Sequence, residues 1–311
     1  MELRHLRYFA TVADCGGITR AAERLNISQP ALSRQIRDLE LELGLLLFDR
    51  RAGRLVLTGE GEDLLARSRE LLRRAGSLRD RAQELRGGEA GIIRIGVAPL
   101  TLESLLPPFL VQYLPRHPKI DIRLVEDSPS RLWQRLERGE LDLAVSFPGH
   151  AGLGSRLLFP VCAVALMARN NGLGHSTTLE IAKLEQERLL LPGPQYLTRQ
   201  WFDAACQRDH LKPNVILESA VPHALIALAK VGYGIAIVPS HTLFDQRALR
   251  AVPLTRGEEV LGAWAAIAWD HHRFRPTYVG GFVENLANYA SRNYPARGVL
   301  TKQVLKAIPT S

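Results

Sequence analysis

At 311 residues and 46% hydrophobic content, the chain has length and apolar material for more than one domain core. Its net charge of +8 suits a polyanionic partner, and its three scattered cysteines, Cys15, Cys162 and Cys206, exclude a disulfide framework or a zinc knuckle. The start, Met1 to His5, lacks the apolar core of a signal peptide, and no uncharged apolar run approaches a membrane span, so a cytoplasmic protein with no membrane partner is expected.

Leu3, Leu6, Phe9, Ala10 and Ala13 mark the apolar stripe of a first helix, which Gly16-Gly17 stops. Ile18, Ala21, Ala22 and Leu25 give a short second helix whose alanine pair lets a neighbour come close. Asn26-Ile27 reads as a tight turn, and Ser28 as the N-cap of a third helix that tolerates Pro30 in its first turn. Leu32, Ile36, Leu39 and Leu43 bury one face of that helix. The opposite face carries Gln29, Ser33, Arg34 and Arg37. Gln pairs with adenine, Arg forks onto guanine, and Ser or a helix N-terminus meets phosphate. Gln29 and Ser33 are placed nearest base edges, Arg34 at base or phosphate, and Arg37 at phosphate. The spacing is that of a helix-turn-helix. A plain helical bundle with a charged solvent face would share it.

Two apolar runs then flank a turn at Ala52-Gly53, a β-hairpin pattern with Arg50, Arg51 and Arg54 at its tip. The hairpin is either a soluble turn or a wing that reaches a minor groove or flanking phosphates, and its place after a recognition helix favours the wing. Thr58 can cap a long helix to about Arg86. Leu64, Leu71, Leu78 and Leu85 repeat every seven residues there, with Ser68, Ala75 and Ala82 between them. Such a stripe serves a globular core or a homodimer seam. No partner helix is legible in the chain, which favours the seam.

After Gly87-Gly88 the texture changes to short strands alternating with helices. The predicted strands are Ile92–Ala98, Ile120–Glu126, Leu141–Phe147, Leu189–Leu191, Asn214–Glu218, Ile235–Pro239 and Val260–Trp269. Gly139 to Val145 and Gly232 to Val238 echo one another, as do Val97-Ala98-Pro99 and Leu191-Pro192-Gly193, which predicts two similar lobes. No Gly-rich phosphate loop, no nucleophile elbow and no metal-ligand spacing is legible, and the His271-His272 pair points to opposite sides. No enzyme, metal or cofactor is expected, and neither a tethered enzyme nor a transporter's solute-binding protein fits. In such sheets ligands bind beyond the carboxyl ends of the strands. That selects Leu100-Thr101, Ser146-Phe147, Gly193-Pro194-Gln195 and Val221-Pro222-His223, although each is also an ordinary connecting loop.

The run Thr19-Arg20-Ala21-Ala22-Glu23-Arg24-Leu25-Asn26-Ile27-Ser28-Gln29-Pro30-Ala31-Leu32-Ser33-Arg34-Gln35-Ile36, with Leu39-Glu40, Leu43-Gly44, Leu47-Phe48-Asp49-Arg50 and Leu57-Thr58, resembles the N-terminal domain of the LysR-type transcriptional regulators. One departure is Gly17-Ile18, where the family has Ser-Phe. The resemblance implies an α/β protein: a winged helix-turn-helix (1–58), a linker and dimerisation helix (59–88), and an effector-binding domain (89–293) of two Rossmann-like lobes similar to periplasmic binding proteins. Lobe I would be 91–161 with 269–293, lobe II 162–268, and the tail 294–311 a peripheral helix or disorder. It also implies a homodimer or homotetramer on an interrupted palindromic operator in double-stranded DNA, with Thr19, Ser28 and Pro30 added to the contact set. An effector, expected to be a polar organic acid, would bind between the lobes, and RNA polymerase would be a partner.

Overall fold

The computed structural model describes residues 1–51, 54–85, 91–147 and 152–309. It divides into two compact bodies: Met1–Gly88 with His272–Pro276, and Glu89–His271 with Thr277–Ser311.

The first body begins with α1 (Leu3–Cys15), α2 (Ile18–Leu25) and α3 (Gln29–Leu43). The turns between them fall where the sequence predicts, with Gly16 at φ 62° ending α1 and Asn26 at φ 53° ending α2; Gly44 at φ 69° ends α3. The Ser28 hydroxyl accepts from the Ala31 amide at 3.4 Å, which fixes the start of α3. Phe9, Val12, Ala21, Leu32, Leu39 and Leu47 form a core in which none is more than 1% exposed. The hairpin β1 (Phe48–Arg51) and β2 (Arg54–Leu57) pairs antiparallel from Phe48↔Leu57 to Arg51↔Arg54. Its base is pinned by the Glu40 carboxylate, which accepts from the amides of Leu47 (2.8 Å) and Phe48 (3.2 Å). The turn residues and the side chains of Arg50, Arg51 and Arg54 lie outside the described residues.

Thr58 accepts from the Gly61 amide at 2.9 Å and so opens α4 (Gly59–Leu85). Of the predicted seam, Leu64 packs on this body's own core, together with Leu65 and Leu72. Leu71 and Leu78 are 46% and 73% exposed. The side chain of Leu85 lies outside the described residues.

The second body is one continuous mixed sheet shared by two lobes. Lobe I builds from β3 (Gly91–Val97), α5 (Pro99–Tyr113), β4 (Ile120–Glu126), α6 (Pro129–Glu137) and β5 (Leu143–Ser146). The chain then enters the long strand β6 (Leu153–Ala168), and lobe II follows: β7 (Leu179–Glu180), β8 (Leu189–Pro192), α7 (Leu197–Arg208), β9 (Val215–Ser219), α8 (Pro222–Lys230), β10 (Ile235–Pro239), β11 (Leu249–Arg256) and β12 (Glu259–Val260). Strand β13 (Gly262–Asp270), α9 (Thr277–Asn293) and α10 (Lys302–Ala307) end the chain. The echo in the sequence is a structural repeat. Parallel strands run β4-β3-β5 in one lobe and β9-β8-β10 in the other. Gly139 (φ 70°) and Gly232 (φ 76°) make the matching turns after α6 and α8.

One prediction is corrected here and one element is new. Strand β6 was not anticipated, and it is the hinge between lobes. Its first half pairs with β13 through Cys162↔Gly262, while Ala163 to Ala168 pair with β10 and β11. The return to lobe I therefore falls at Leu261/Gly262, ahead of the expected 268/269 boundary, because all of β13 ladders with β5 and the lobe I half of β6. Of the two alternatives for the tail, the structure has the helix: Leu300, Val304 and Ile308 are at most 6% exposed and join the lobe II core with Leu225, Val238 and Val260. Thr301 caps α10 by accepting from the Val304 amide at 3.3 Å.

Candidate functional site

On the first body, α3 presents Ser28, Gln29, Pro30, Arg34 and Arg37 to solvent, with Ser33 half-buried between them and Thr19 exposed on the neighbouring α2. Leu32, Ile36 and Leu39 hold the opposite face in the core, so the polar edge is fixed by packing. Among the described residues, the side chains of Gln29, Arg34 and Arg37 make no hydrogen bond or ion pair, unlike Arg69, which is held by Asp14 at 2.5 Å. Unpaired guanidinium and carboxamide groups on a rigid helix edge are suited to an external acceptor surface.

In the second body a cleft of about 580 Å3, open to solvent, lies between the lobes. Lobe I contributes Ala98 to Thr101, Pro129 and Phe147; lobe II contributes Pro192, Tyr196 to Thr198, Pro222, Leu225, Ile237 to Pro239 and His241. The first turns of α5, α6, α7 and α8 all reach it, and none of these helices has a side-chain cap at its N-terminus. Proline opens α5, α6 and α8, where its missing amide costs nothing. Apart from Thr101, Tyr196, Thr198 and His241 the walls are apolar, and they carry no charged side chain among the described residues.

Of the predicted loop residues, Leu100, Thr101, Phe147 and Pro222 line the cleft. Ser146 does not: it is buried one position earlier in β5, on the other side of the strand from Phe147, and its Oγ has no protein partner. Gly193, Pro194 and Gln195 also fall outside the lining, since the Gln195 amide lies against Gly193 and leaves Pro192 and Tyr196 to face the space. Val221 is solvent-exposed, and the His223 Nε2 lies 2.7 Å from the Glu103 carboxylate of lobe I, outside the lining.

Sequence reasoning missed Thr198 at the start of α7 and, most notably, His241 in the turn that follows β10. Its Nε2 lies 3.0 Å from the Thr101 Oγ1 of lobe I, and its ring meets Phe159 edge-on at 5.7 Å. Its Nδ1 has no protein partner, and burial pushes its pKa down to about 4, so it is a neutral imidazole at ordinary pH. Phe147 and Trp201 meet edge-on at 5.2 Å across the lobes. The thiols of Cys162 and Cys206 are pushed up by burial to about 12 and about 11, which keeps both as unreactive thiols.

The chain matches the bacterial regulatory helix-turn-helix of the lysR family over residues 3–62 and the LysR substrate binding domain over residues 86–291. It is a LysR-type transcriptional regulator. A curated relative, the HTH-type transcriptional regulator XapR of Escherichia coli (strain K12), is 32% identical over 240 residues, covering 76% of this chain and 82% of that protein. Full-length OxyR from Pseudomonas aeruginosa is a solved structure with a TM-score of 0.69 at 26% identity, covering 96% of this chain and 97% of the other. CbnR, solved in complex with its target DNA, has the same fold at a TM-score of 0.61 and 23% identity, over 93% of this chain and 100% of the other. This LysR-type regulator is thus a DNA-binding protein with an effector-binding domain, and not an enzyme. Among the described residues no helix is long and apolar enough to cross a membrane, and no cluster of His, Cys, Asp and Glu is placed to hold a metal ion.

Proposed function

We propose that this regulator reads an interrupted palindromic operator with the α3 edge, as a cytoplasmic homodimer or homotetramer, and that a small effector in the interlobe cleft sets how it does so. The observation that carries the reading is the unpaired polar edge from Gln29 to Arg37 on a helix whose other face is locked in a core. Gln29 and Ser33 reach base edges in the major groove. Arg34 reaches base or phosphate, and Arg37 and the wing arginines Arg50, Arg51 and Arg54 reach phosphate, with Thr19, Ser28 and Pro30 positioning the helix. Leu71 and Leu78 of α4 meet a second copy, with Leu85 continuing that seam. RNA polymerase is the downstream partner.

For the expected class, a polar organic acid, the apolar lining supports a molecule with an apolar body and one small acidic or acceptor head. Uncapped helix amides, the Thr198 hydroxyl and the one donor left over by the hydrogen-bonded Thr101–His241 pair receive the head, and the proline-rich walls receive the body. The effector acts through its different affinity for two lobe arrangements. The test is a gel shift against promoter fragments and random duplex at moderate salt. Preference for a promoter supports the reading, and equal affinity for every duplex, with and without a metabolite panel, ends it.

A further inference from the structure

We propose, on the reading that the lobes have two arrangements, that His241 is a proton-sensitive lock between them: acid opens the cleft, and the regulator senses pH through the same arrangements an effector selects. His241 belongs to lobe II, in the turn after β10, yet lobe I buries its ring. Its Nε2 lies 3.0 Å from the Thr101 Oγ1 in the first turn of α5. Its ring meets Phe159 edge-on in the lobe I half of β6, and Phe159 stacks on Tyr294 in turn. His241 is 5% exposed and Thr101 9%. Parting the lobes draws α5 off this turn and lets water reach the imidazole.

While the lobes stay closed, a proton on this ring is a buried charge without a counter-charge. The cleft lining carries no charged side chain among the described residues. Its other titratable group, Tyr196, is a phenol that donates to the Ala220 carbonyl at 3.1 Å and that burial keeps protonated. The charged groups on the surrounding elements are engaged elsewhere: Glu103 of α5 with His223 of α8 at the rim, Arg156 of β6 with Glu284 of α9, Arg199 of α7 with Asp203 and Glu218, and Asp127 ahead of α6 with Arg135. The positive dipole ends of α5 and α8, whose first turns reach the same space, disfavour a cation further. Burial accordingly holds the closed-state pKa at about 4, against an ordinary 6.5 in water. Each pH unit below 6.5 then favours the open arrangement about tenfold, until pH nears 4. The rim pair works the other way, because a protonated His223 gains an ion pair with Glu103. Both side chains reach solvent, so that gain is small.

The test is thiol labelling of Thr198→Cys in the full chain. Thr198 is 6% exposed and lines the cleft from lobe II, so N-ethylmaleimide reaches a cysteine there when the lobes part. The rate is read by peptide mass spectrometry and divided by that of a free cysteine peptide at the same pH. Between about pH 7.5 and 5.0 the quotient should rise about thirtyfold. With His241→Gln or His241→Leu it should stay nearly flat, and with His223→Gln it should still rise. Cys206, 4% exposed in the lobe II core, is the internal reference, and a matching rise there means unfolding and overturns the lock. The same rise in both His241 variants, or its loss in His223→Gln, also overturns it. A cleft thiol that labels well ahead of Cys206 at a steady rate keeps the two arrangements and removes the lock alone. One that labels no faster than Cys206 at any pH removes the arrangements as well. Promoter recognition is untouched by either result, because no DNA enters the experiment.

Discussion

The α3 edge and the interlobe cleft are built in opposite ways. The edge displays charged and amide side chains in water, on a helix held from behind by Leu32, Ile36 and Leu39. The cleft hides its polar groups: backbone amides at helix ends, two threonines and a histidine kept neutral by burial, set among prolines and aliphatic side chains. The difference follows the targets. A long polyanion keeps much of its hydration and is met by exposed, salt-sensitive charge. A small molecule has few atoms to offer, and enclosure by apolar walls supplies most of its affinity.

The largest effect that sharpens this comparison is expected behind the edge. Leu32→Ala, at a fully buried site, should destabilise the DNA-reading body by about 2–5 kcal/mol, read by thermal or urea melts. A loss below about 1 kcal/mol would mean that α3 is not held by its core.

Next is the pH response of His241. Its folded pKa of about 4 lies below the ordinary 6.5, so the unfolded chain takes up a proton first as pH falls. Its contribution to stability is present above pH 6.5 and is lost as pH falls toward 4, by about 3 kcal/mol across that window. His241→Leu should flatten the stability curve over the same range in denaturant titrations. An unchanged slope would show that the imidazole is not desolvated.

Smaller effects belong to the edge itself. Gln29→Ala or Ser33→Ala should cost about 1–3 kcal/mol on the preferred operator and relax preference at one position, measured by competition against base-substituted duplexes. Arg37→Ala should instead weaken all duplexes alike and lower the salt slope by about 1. If Arg37→Ala changed base preference with the slope intact, the roles along α3 would have to be exchanged. Leu71→Asp should leave the fold unchanged, because the side chain is half exposed, and should convert the dimer to monomer in sedimentation. Unchanged mass would dismiss the seam.

The two regions also differed in how far they could be read from residues. The DNA-reading body is specified locally: Gly16, Asn26, Ser28 and Gly44 each signal a turn or cap within a few residues, and α1 to α3 fall where those signals place them. In the second body the repeated unit was legible for the same reason, with Gly139 and Gly232 as its punctuation. What was missed is nonlocal. Strand β6 is buried almost without interruption from Leu158 to Met167, so it lacks the alternation that marks a strand with one wet face. Thr101 and His241 are 140 residues apart and belong to no motif, so nothing near either one announces the other. The tail helix, one of two alternatives left open by the sequence, has local signals of its own: Thr301 as a cap, and Leu300, Val304 and Ile308 spaced to share one helical face.

That tail changes the mechanics of the second body. The chain passes between the lobes in β6, returns ahead of β13, and crosses a third time behind α9 to seat α10 in lobe II. Two strands side by side make a strip that can be wrung; a third tether offset from them resists wringing and leaves bending as the easier motion. Loss of Lys302 to Ala307 would therefore remove this brace.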